Sequence, residues 1–230
     1  MKGRLKLVAD KVPKCETVCD IGTDHAYVPI YLVLNKICKF AIAADIKPGP
    51  VLAAKKNIAR YGLENCIEAR RGDGLECLEM GEADCIIIAG MGGLTIKEIL
   101  QRDIEKASSA SLLILQPMNS IELVRKWIYS NGFSIIDEEL CSEGEKIYNV
   151  IVCKWTGQEK QVGEIHYYIG ECLVRKNDPL LDRYLKKELI RIEKVINGVK
   201  KSDNSANELD FYRWLAGEIN RLLRRNGNGS

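Results

Sequence analysis

A turn near the amino terminus combines carboxylates with glycine in the way that nucleotide-shaped cofactors require. An apolar stretch leads into Asp20, and Gly22 and Asp24 follow at once. In a parallel α/β sheet, glycine lets the backbone of such a turn pass close to a ligand, and the amides of the next helix lie exposed there. A second apolar run ends at Asp45, 25 residues after Asp20. This spacing is near the one at which a carboxylate meets a ribose hydroxyl pair, so it predicts an adenosine-containing cofactor.

A third acidic turn extends the series and narrows the cofactor class. The strand-like segment Ile67–Arg71 ends at Gly72, Asp73 and Gly74, another sharp turn with a carboxylate at its centre. Methyltransferases that use S-adenosylmethionine have such a series, with the methionine part at the first turn, the ribose at the second and the adenine at the third. The pyrophosphate of a dinucleotide would meet a like charge at Asp24, whereas a sulfonium and an ammonium would be attracted to it. The pattern therefore favours the methyl donor over a dinucleotide.

Four longer motifs resemble one known family. They are Asp20–Pro29, Gly72–Gly74, Ile88–Gly93 and Leu115–Pro117. In these motifs and along the whole chain, the sequence is similar to the bacterial tRNA methyltransferases that act on N1 of adenine-22. The most specific parts are the Asp-His-Ala-Tyr continuation of the first turn and the Ala-Gly-Met-Gly-Gly loop. The resemblance implies an N-terminal Rossmann-like domain, a C-terminal helical domain, and tRNA as the partner that is methylated.

The alternation of apolar strands and helix-like stretches predicts an α/β fold with a mostly parallel sheet. Seven strands are predicted: 18–21, 40–44, 67–71, 84–89, 112–115, 133–140 and 147–155. A helix is predicted from Pro50 to Tyr61. The polar link Cys141–Lys146 is too short for a crossover helix, so the last two strands must form an antiparallel hairpin. We therefore expect a methyltransferase domain over residues 1–157 and a helical, coiled-coil-like domain over residues 158–230.

The C-terminal segment predicts a basic helical hairpin. Apolar residues recur at spacings of three and four from Leu181 to Val199 and again from Tyr212 to Leu222, on either side of a polar link. Residues 181–225 contain eleven Lys and Arg and seven Asp and Glu, a net charge of +4, which leaves −2 for the rest of the chain. A basic appendage beside a mildly acidic domain is expected when a polyanion is held next to a pocket for a cationic cofactor. We therefore predict tRNA contacts at Lys200, Lys201, Arg224 and Arg225.

The loop after the fourth strand lacks the motif of amino-group methyltransferases, in which Asn or Asp precedes Pro-Pro and an aromatic residue. Ala89, Gly90, Met91, Gly92 and Gly93 stand there instead, and such a loop lets a flat base approach the backbone. Ring N1 of adenine already has a lone pair, so methylation needs in-line placement more than a strong base. The loop therefore agrees with ring-nitrogen methylation.

Three residues after the first turn are candidates for catalysis. Asp24 could hold the ammonium of the donor or accept the adenine N6 hydrogen, and His25 could position either group. Tyr27 could stack on the base. For His25, a structural role at the start of a helix is an equal alternative. We favour a functional role for Asp24, because an unpaired carboxylate beside Asp20 would otherwise cost stability.

The remaining predicted site residues follow from these motifs. The predicted donor-binding residues are Asp20, Gly22, Asp24, Asp45, Ile46, Gly72, Asp73, Gly74, Ala89, Gly90 and Met91. Gly92, Gly93, Gln116 and Pro117 are predicted to contact the substrate.

Composition limits the other classes of function. No apolar run reaches transmembrane length and no secretory signal is recognisable, so we expect a cytoplasmic protein without membrane contacts. The nine cysteines are scattered singly, which predicts reduced thiols and no metal site. The oligomeric state is left open, with a monomer expected. Two other functions remain: a small-molecule methyltransferase, which would not need the basic hairpin, and a non-catalytic methyltransferase-like module that binds RNA or protein.

Overall fold

The computed structural model describes residues 1–199 and 206–227, and in the first of these ranges a seven-stranded sheet forms. Its strands are β1 (Cys15–Ile21), β2 (Cys38–Asp45), β3 (Ile67–Arg71), β4 (Cys85–Met91), β5 (Leu112–Pro117), β6 (Phe133–Glu143) and β7 (Lys146–Trp155). Their spatial order is β3-β2-β1-β4-β5-β7-β6. Strands β1 to β5 run parallel, and β7 is antiparallel to both of its neighbours. The predicted α/β methyltransferase sheet with an antiparallel terminal hairpin is confirmed.

Helices cover both faces of the sheet. They are α1 (Gly3–Asp10), α2 (Tyr27–Leu34), α3 (Pro48–Arg60), α4 (Gly93–Arg102), α5 (Ile104–Ser109) and α6 (Ile121–Ser130). Two apolar cores result, because alternate residues of each buried strand point to opposite faces. Cys19 and Ile21 join one core, whereas Val18 joins the other. The reversal of strand order next to β1 creates a crevice at the carboxyl ends of β1 and β4, where α/β sheets bind their ligands.

The terminal hairpin differs in one respect from the sequence prediction. The segment Cys141–Lys146 is not a polar link, because Cys141, Ser142 and Glu143 continue β6 and pair with the first residues of β7. The turn itself is Gly144 and Glu145, and Gly144 has a φ of 59°. A two-residue turn with a left-handed glycine closes such hairpins tightly, so the polar residues remain in the strand.

The described part of the chain beyond residue 157 contains helices and no strand. These helices are α7 (Glu164–Ile169), α8 (Glu171–Lys176), α9 (Leu181–Val199) and α10 (Ala206–Gly227). The chain divides into two compact units, Met1–Gln161 and Val162–Ser230. In the second unit α9 and α10 pack against each other, with Leu185, Ile192, Leu215 and Ile219 buried. Over residues 1–199 and 206–227, no helix is long and apolar enough to cross a membrane.

Candidate active site

A cavity of about 280 Å³ opens at the carboxyl ends of β1 and β4. Of the predicted site residues it brings together Asp20, Gly22, Asp24, His25, Tyr27, Ala89 and Gly90. Arg4, Leu5, Thr23 and Val28 line it as well, and none of these was predicted from the sequence. The cavity therefore joins the first acidic turn to the glycine loop after β4.

A larger cavity of about 450 Å³ lies elsewhere on the sheet. Its lining includes Thr17, Phe40 and Ile67, which stand in the first half of β1, β2 and β3. Ligands of parallel α/β sheets bind outside the carboxyl ends of the strands, so position in the fold favours the smaller cavity as the active site.

The turn after β1 requires glycine at position 22. The N–H groups of Gly22 and Thr23 both donate to the carbonyl of Ala44, over 2.8 and 2.9 Å. Gly22 has a φ of 79°, and a Cβ atom there would overlap the methyl group of Met91. The side chain of Met91 is thus packed directly on the turn. This contact places Met91 beside the cavity, although it is not among the residues that line it.

Asp20 is the buried carboxylate of the site. Only 7% of the residue is exposed. Burial raises its pKa to about 7, although a hydrogen bond with Thr23 and the positive charge of Arg4 act in the opposite direction. Asp45 contributes a further small rise in the pKa. Burial therefore disfavours the ionised form of this carboxyl group, and a further positive charge in the cavity would favour it.

Asp24, His25 and Tyr27 lie together at the mouth of the cavity. The Asp24 carboxylate is 3.4 Å from Nε2 of His25, and 78% of its side chain is exposed. Tyr27 is 54% exposed, and its ring stacks on His25 with 5.2 Å between centroids. Because water solvates an exposed carboxylate, Asp24 costs little stability as an anion, and a functional role does not follow from its closeness to Asp20. The catalytic roles of these three residues stay predictions that rest on their position.

Local backbone geometry fixes this mouth. Ala26 is buried and left-handed, with a φ of 55°, directly before the first residue of α2. The side-chain amide of Asn57 donates to the carbonyl of His25 over 3.0 Å. Non-glycine residues in this conformation are uncommon and cluster at functional sites. The fold thus holds His25 and Tyr27 in a defined arrangement at the start of α2.

The predicted ribose side of the site lies at the ends of β2 and β3. Oδ1 of Asp45 accepts from the N–H of Lys47 over 2.7 Å, which is an Asx turn that aims the carboxylate. The N–H of Gly72 donates to the carbonyl of Asp45, and Arg71 donates to the carbonyl of Ile46. These bonds join the second and third predicted turns. Ribose contact by Asp45 and donor contact by Ile46 and Gly72 stay predictions.

Asp73 has a partner that sequence reasoning missed. Arg102, at the end of α4, donates to the Asp73 carboxylate over 2.8 Å and to the Asp73 carbonyl over 2.7 Å. Gly74 has a φ of 60°, and a Cβ atom there would lie 2.9 Å from the same guanidinium. The turn is therefore pinned by an arginine 29 residues away, and no local signal in the sequence identifies that pair. Its predicted contact with adenine must use atoms that Arg102 leaves accessible.

The glycine loop after β4 is held by the end of β5. Gly90 donates to Oε1 of Gln116 over 3.1 Å, and Gly93 donates to the carbonyl of Asn119 over 3.1 Å. A Cβ atom at Gly93 would lie 2.3 Å from the carbonyl of Ser120, so only glycine fits there. Gln116 is fully buried, which makes it a support for Gly90 in this structure rather than an exposed contact.

The other predicted substrate contacts differ in their burial and in the element that carries them. Pro117 is buried at the end of β5, whereas Gly92 stands at the N-terminus of α4 with Asn119 beside it. Substrate contact by Gly92, Gly93, Gln116 and Pro117 stays a prediction.

Arg4 is the second arginine that sequence reasoning missed. Its Nη1 donates to Oε1 of Gln116 over 2.6 Å, so this oxygen accepts from both Arg4 and Gly90. Arg4 belongs to the short helix α1, which precedes every motif described above. Nothing in its sequence neighbourhood indicates a site residue, because the contact depends on how α1 packs beside the sheet.

The C-terminal unit has a separate basic cavity. Arg224 and Arg225 line a cavity of about 520 Å³ together with Arg221, Glu218 and His166. Lys200 and Lys201, the other two predicted tRNA contacts, lie outside the described residues. The roles of all four in tRNA binding stay predictions.

Comparison with known proteins decides the family. The family described as a methyltransferase domain matches residues 1–151. The tRNA (adenine(22)-N(1))-methyltransferase of Bacillus subtilis is 44% identical over 95% of this chain and 94% of its own length. The chain belongs to the bacterial tRNA (adenine-22-N1)-methyltransferase family. The resemblance that the motifs indicated is therefore confirmed.

Solved structures agree with this assignment. A Streptococcus pneumoniae protein in complex with S-adenosyl-L-methionine has a TM-score of 0.85, 31% identity, and coverage of 96% of this chain and 98% of that one. TrmK of M. capricolum in complex with S-adenosyl-homocysteine has a TM-score of 0.78 and 29% identity, with 98% and 97% covered. The similarity extends over both compact units of this family member.

Proposed function

We propose that this protein transfers a methyl group from S-adenosylmethionine to ring N1 of adenine-22 in tRNA. The observation that carries the proposal is the cavity that joins the acidic turn at Asp20 and Gly22 to the glycine loop at Gly90. Family membership supplies the substrate and the position of the base. An intact cofactor turn argues against a non-catalytic module, and similarity to tRNA methyltransferases along nearly the whole chain argues against a small-molecule enzyme.

The cavity fits the methyl donor chemically. S-adenosylmethionine supplies an activated methyl group on a positively charged sulfur. Asp20 and Asp24 provide negative charge for its ammonium and sulfonium, and Gly22 lets the backbone come close. Asp45 is available for the ribose at the end of the neighbouring strand. The ribose is thus assigned to the end of β2 and the methionine part to the end of β1, which lies between β2 and β4.

The mouth of the cavity fits a purine that is attacked through N1. Tyr27 offers an exposed ring on which a base can stack. As N1 gains a methyl group, positive charge spreads to the amino group of the adenine. The exposed carboxylate of Asp24 can accept a hydrogen bond from that amino group and stabilise the charge. His25, 3.4 Å from Asp24, can orient the carboxylate.

The helical unit is proposed to bind the tRNA backbone. Its segment 181–225 has a net charge of +4, and three arginines line one cavity. Guanidinium groups pair well with phosphate oxygens. We place this activity in the cytoplasm, where the proposed substrate is found. Among the described residues, Arg221, Arg224 and Arg225 are therefore the best-supported phosphate contacts.

The decisive test is methylation of an unmodified tRNA transcript that has adenine at position 22. The protein, S-adenosylmethionine and transcript are incubated, and the digested nucleosides are separated by mass spectrometry against N1- and N6-methyladenosine standards. The matched control is the same transcript with guanine at position 22. N1-methyladenosine from the first transcript alone is expected. Equal yields of N1-methyladenosine from both transcripts would exclude adenine-22 as the target. N6-methyladenosine in place of N1-methyladenosine would exclude ring-nitrogen transfer.

A further inference from the structure

The position of Arg4 in the cavity is not explained by the roles assigned so far. It lines the cavity with Asp20, Gly22 and Gly90, and its Nη1 bonds to Gln116 over 2.6 Å. A Cβ atom built on Gly90 would lie 3.3 Å from that nitrogen. Arg4 therefore lies directly over the glycine loop, between the two elements that form the site.

Two further contacts hold Arg4 in place. Its backbone N–H donates to Oε1 of Glu143 over 2.6 Å, at the tip of the β6–β7 hairpin. Its guanidinium also lies 5.6 Å from the ring centroid of Tyr148, in cation–π range. Such fixed side chains lose little conformational entropy when a ligand binds. Arg4 is thus pre-organised by residues from the far end of the same unit.

The guanidinium has donors to spare. An arginine side chain has five N–H groups. Within residues 1–199 and 206–227, Gln116 is the acceptor that its side chain is seen to bond, so most of these donors are left for a ligand. Asp20 is near enough for the charge of Arg4 to influence it. Arg4 therefore lies in the cavity without an ion pair to another described residue.

The charges of the cavity match an amino-acid head group. Asp20 and Asp24 supply two carboxyl groups, and Arg4 is the one Lys or Arg among the described residues that line the cavity. The methionine part of the donor is an amino acid with an ammonium and a carboxylate. Its ammonium has two candidate partners, whereas its carboxylate has one. Arginine binds carboxylates through paired N–H groups, which fixes direction as well as charge.

We propose that Arg4 binds the methionine carboxylate of the donor and, through the oxygen of Gln116 that it shares with Gly90, positions the base-binding loop. The inference deepens the proposed function and rests on it. Gln116 Oε1 accepts from Arg4 over 2.6 Å and from Gly90 over 3.1 Å. A carboxylate that holds Arg4 would therefore also help to hold Gly90. Donor binding and the shape of the base site are linked through one amide oxygen.

The test removes the charge from each partner in turn. Calorimetry measures the affinity of S-adenosylhomocysteine and of its decarboxylated analogue, which keeps the amine, for wild type and for Arg4→Ala. Losing a hydrogen bond to a charged group weakens binding about 10- to 100-fold. We expect that loss for the analogue on wild type and for S-adenosylhomocysteine on Arg4→Ala. The analogue should bind both proteins within about threefold, because the interaction is already absent.

Lys6→Ala is the matched control. Lys6 stands on the same helix and pairs with Asp10, outside the cavity. It should leave both affinities unchanged. Equal binding of the two ligands to wild type would overturn the proposal without relying on any variant. It is also overturned if Arg4→Ala weakens both ligands equally, since Arg4 would then support the fold of the site. If wild type still methylates adenine-22 in either case, only this inference fails and the proposed function stands.

Discussion

The buried carboxylate of Asp20 should make the empty protein less stable as the pH rises. Its pKa is about 7 in the folded chain against 3.8 for the ordinary group. The folded state therefore holds the proton more tightly, and between these values stability falls with rising pH. Asp20→Asn keeps an oxygen that can accept from Thr23 but cannot ionise. The variant should gain stability over wild type at neutral and alkaline pH.

The size of the effect follows from the two pKa values. Linkage gives a penalty on the order of 2 kcal/mol at pH 5 and on the order of 4 kcal/mol at pH 8. The advantage of Asp20→Asn should thus widen by about 2 to 3 kcal/mol over this range. Other carboxylates titrate in both proteins and cancel in the difference. The ionised carboxylate is costly only in the empty site, where the proposed ammonium partner is missing. Without that carboxylate, the variant should also bind S-adenosylhomocysteine more weakly.

Urea unfolding of wild type and Asp20→Asn at pH 5, 6, 7 and 8, without ligand, measures this difference directly. Circular dichroism follows the loss of structure, and equal m-values for the two proteins establish that the same unit unfolds. A stability difference that is constant with pH would refute the reasoning. If the stability of Asp20→Asn relative to wild type instead fell as the pH rises, Asp20 would be stabilised as an anion.

Three further predictions concern the assigned roles. Asp45→Ala should weaken S-adenosylhomocysteine by about 1.5 to 3 kcal/mol, through lost hydrogen bonds to a charged group; unchanged affinity in calorimetry would remove Asp45 from the ribose site. Asp24→Asn should keep donor affinity within a few fold but strongly reduce single-turnover methylation if it acts on the adenine, whereas both should fall if it holds the ammonium; wild-type values for both would make Asp24 structural. Arg224→Glu with Arg225→Glu should weaken tRNA binding and flatten its salt dependence while donor affinity is kept; an unchanged salt slope in filter binding would exclude this surface.

The fold could be predicted from the sequence because its signals are local. Most of the buried parallel strands read as short apolar runs, and those of β1, β2 and β4 ended at a carboxylate or glycine that marked the edge of the sheet. The strand Ile67–Arg71 was predicted with its observed bounds, and the others differ by a few residues at their ends. The prediction of a polar link at Cys141–Lys146 was wrong, because polar residues can continue a strand when the neighbouring strand pairs with them.

The site was only partly predictable, for a physical reason. Gly22 and Asp20 are recognisable because the turn needs both within three residues. Arg4 and Arg102 act on partners 112 and 29 residues away, so their roles arise from packing. Gln116 was recognised by its motif, yet the sequence could not show that its side chain faces inward. Long-range side-chain pairs of this kind leave no periodicity or spacing that a single sequence reveals.

The attachment of α1 to the β6–β7 hairpin has a consequence for how the protein is made. Arg4 bonds to Glu143 through its backbone, and Lys11 bonds to Asp137 over 2.7 Å. Helix α1 and Lys11 thus have partners that are synthesised more than a hundred residues later. Domains fold largely as units during synthesis, so the donor site cannot be complete until the hairpin has emerged. A nascent chain should therefore acquire donor affinity in one late step, when α1 and the β6–β7 hairpin meet.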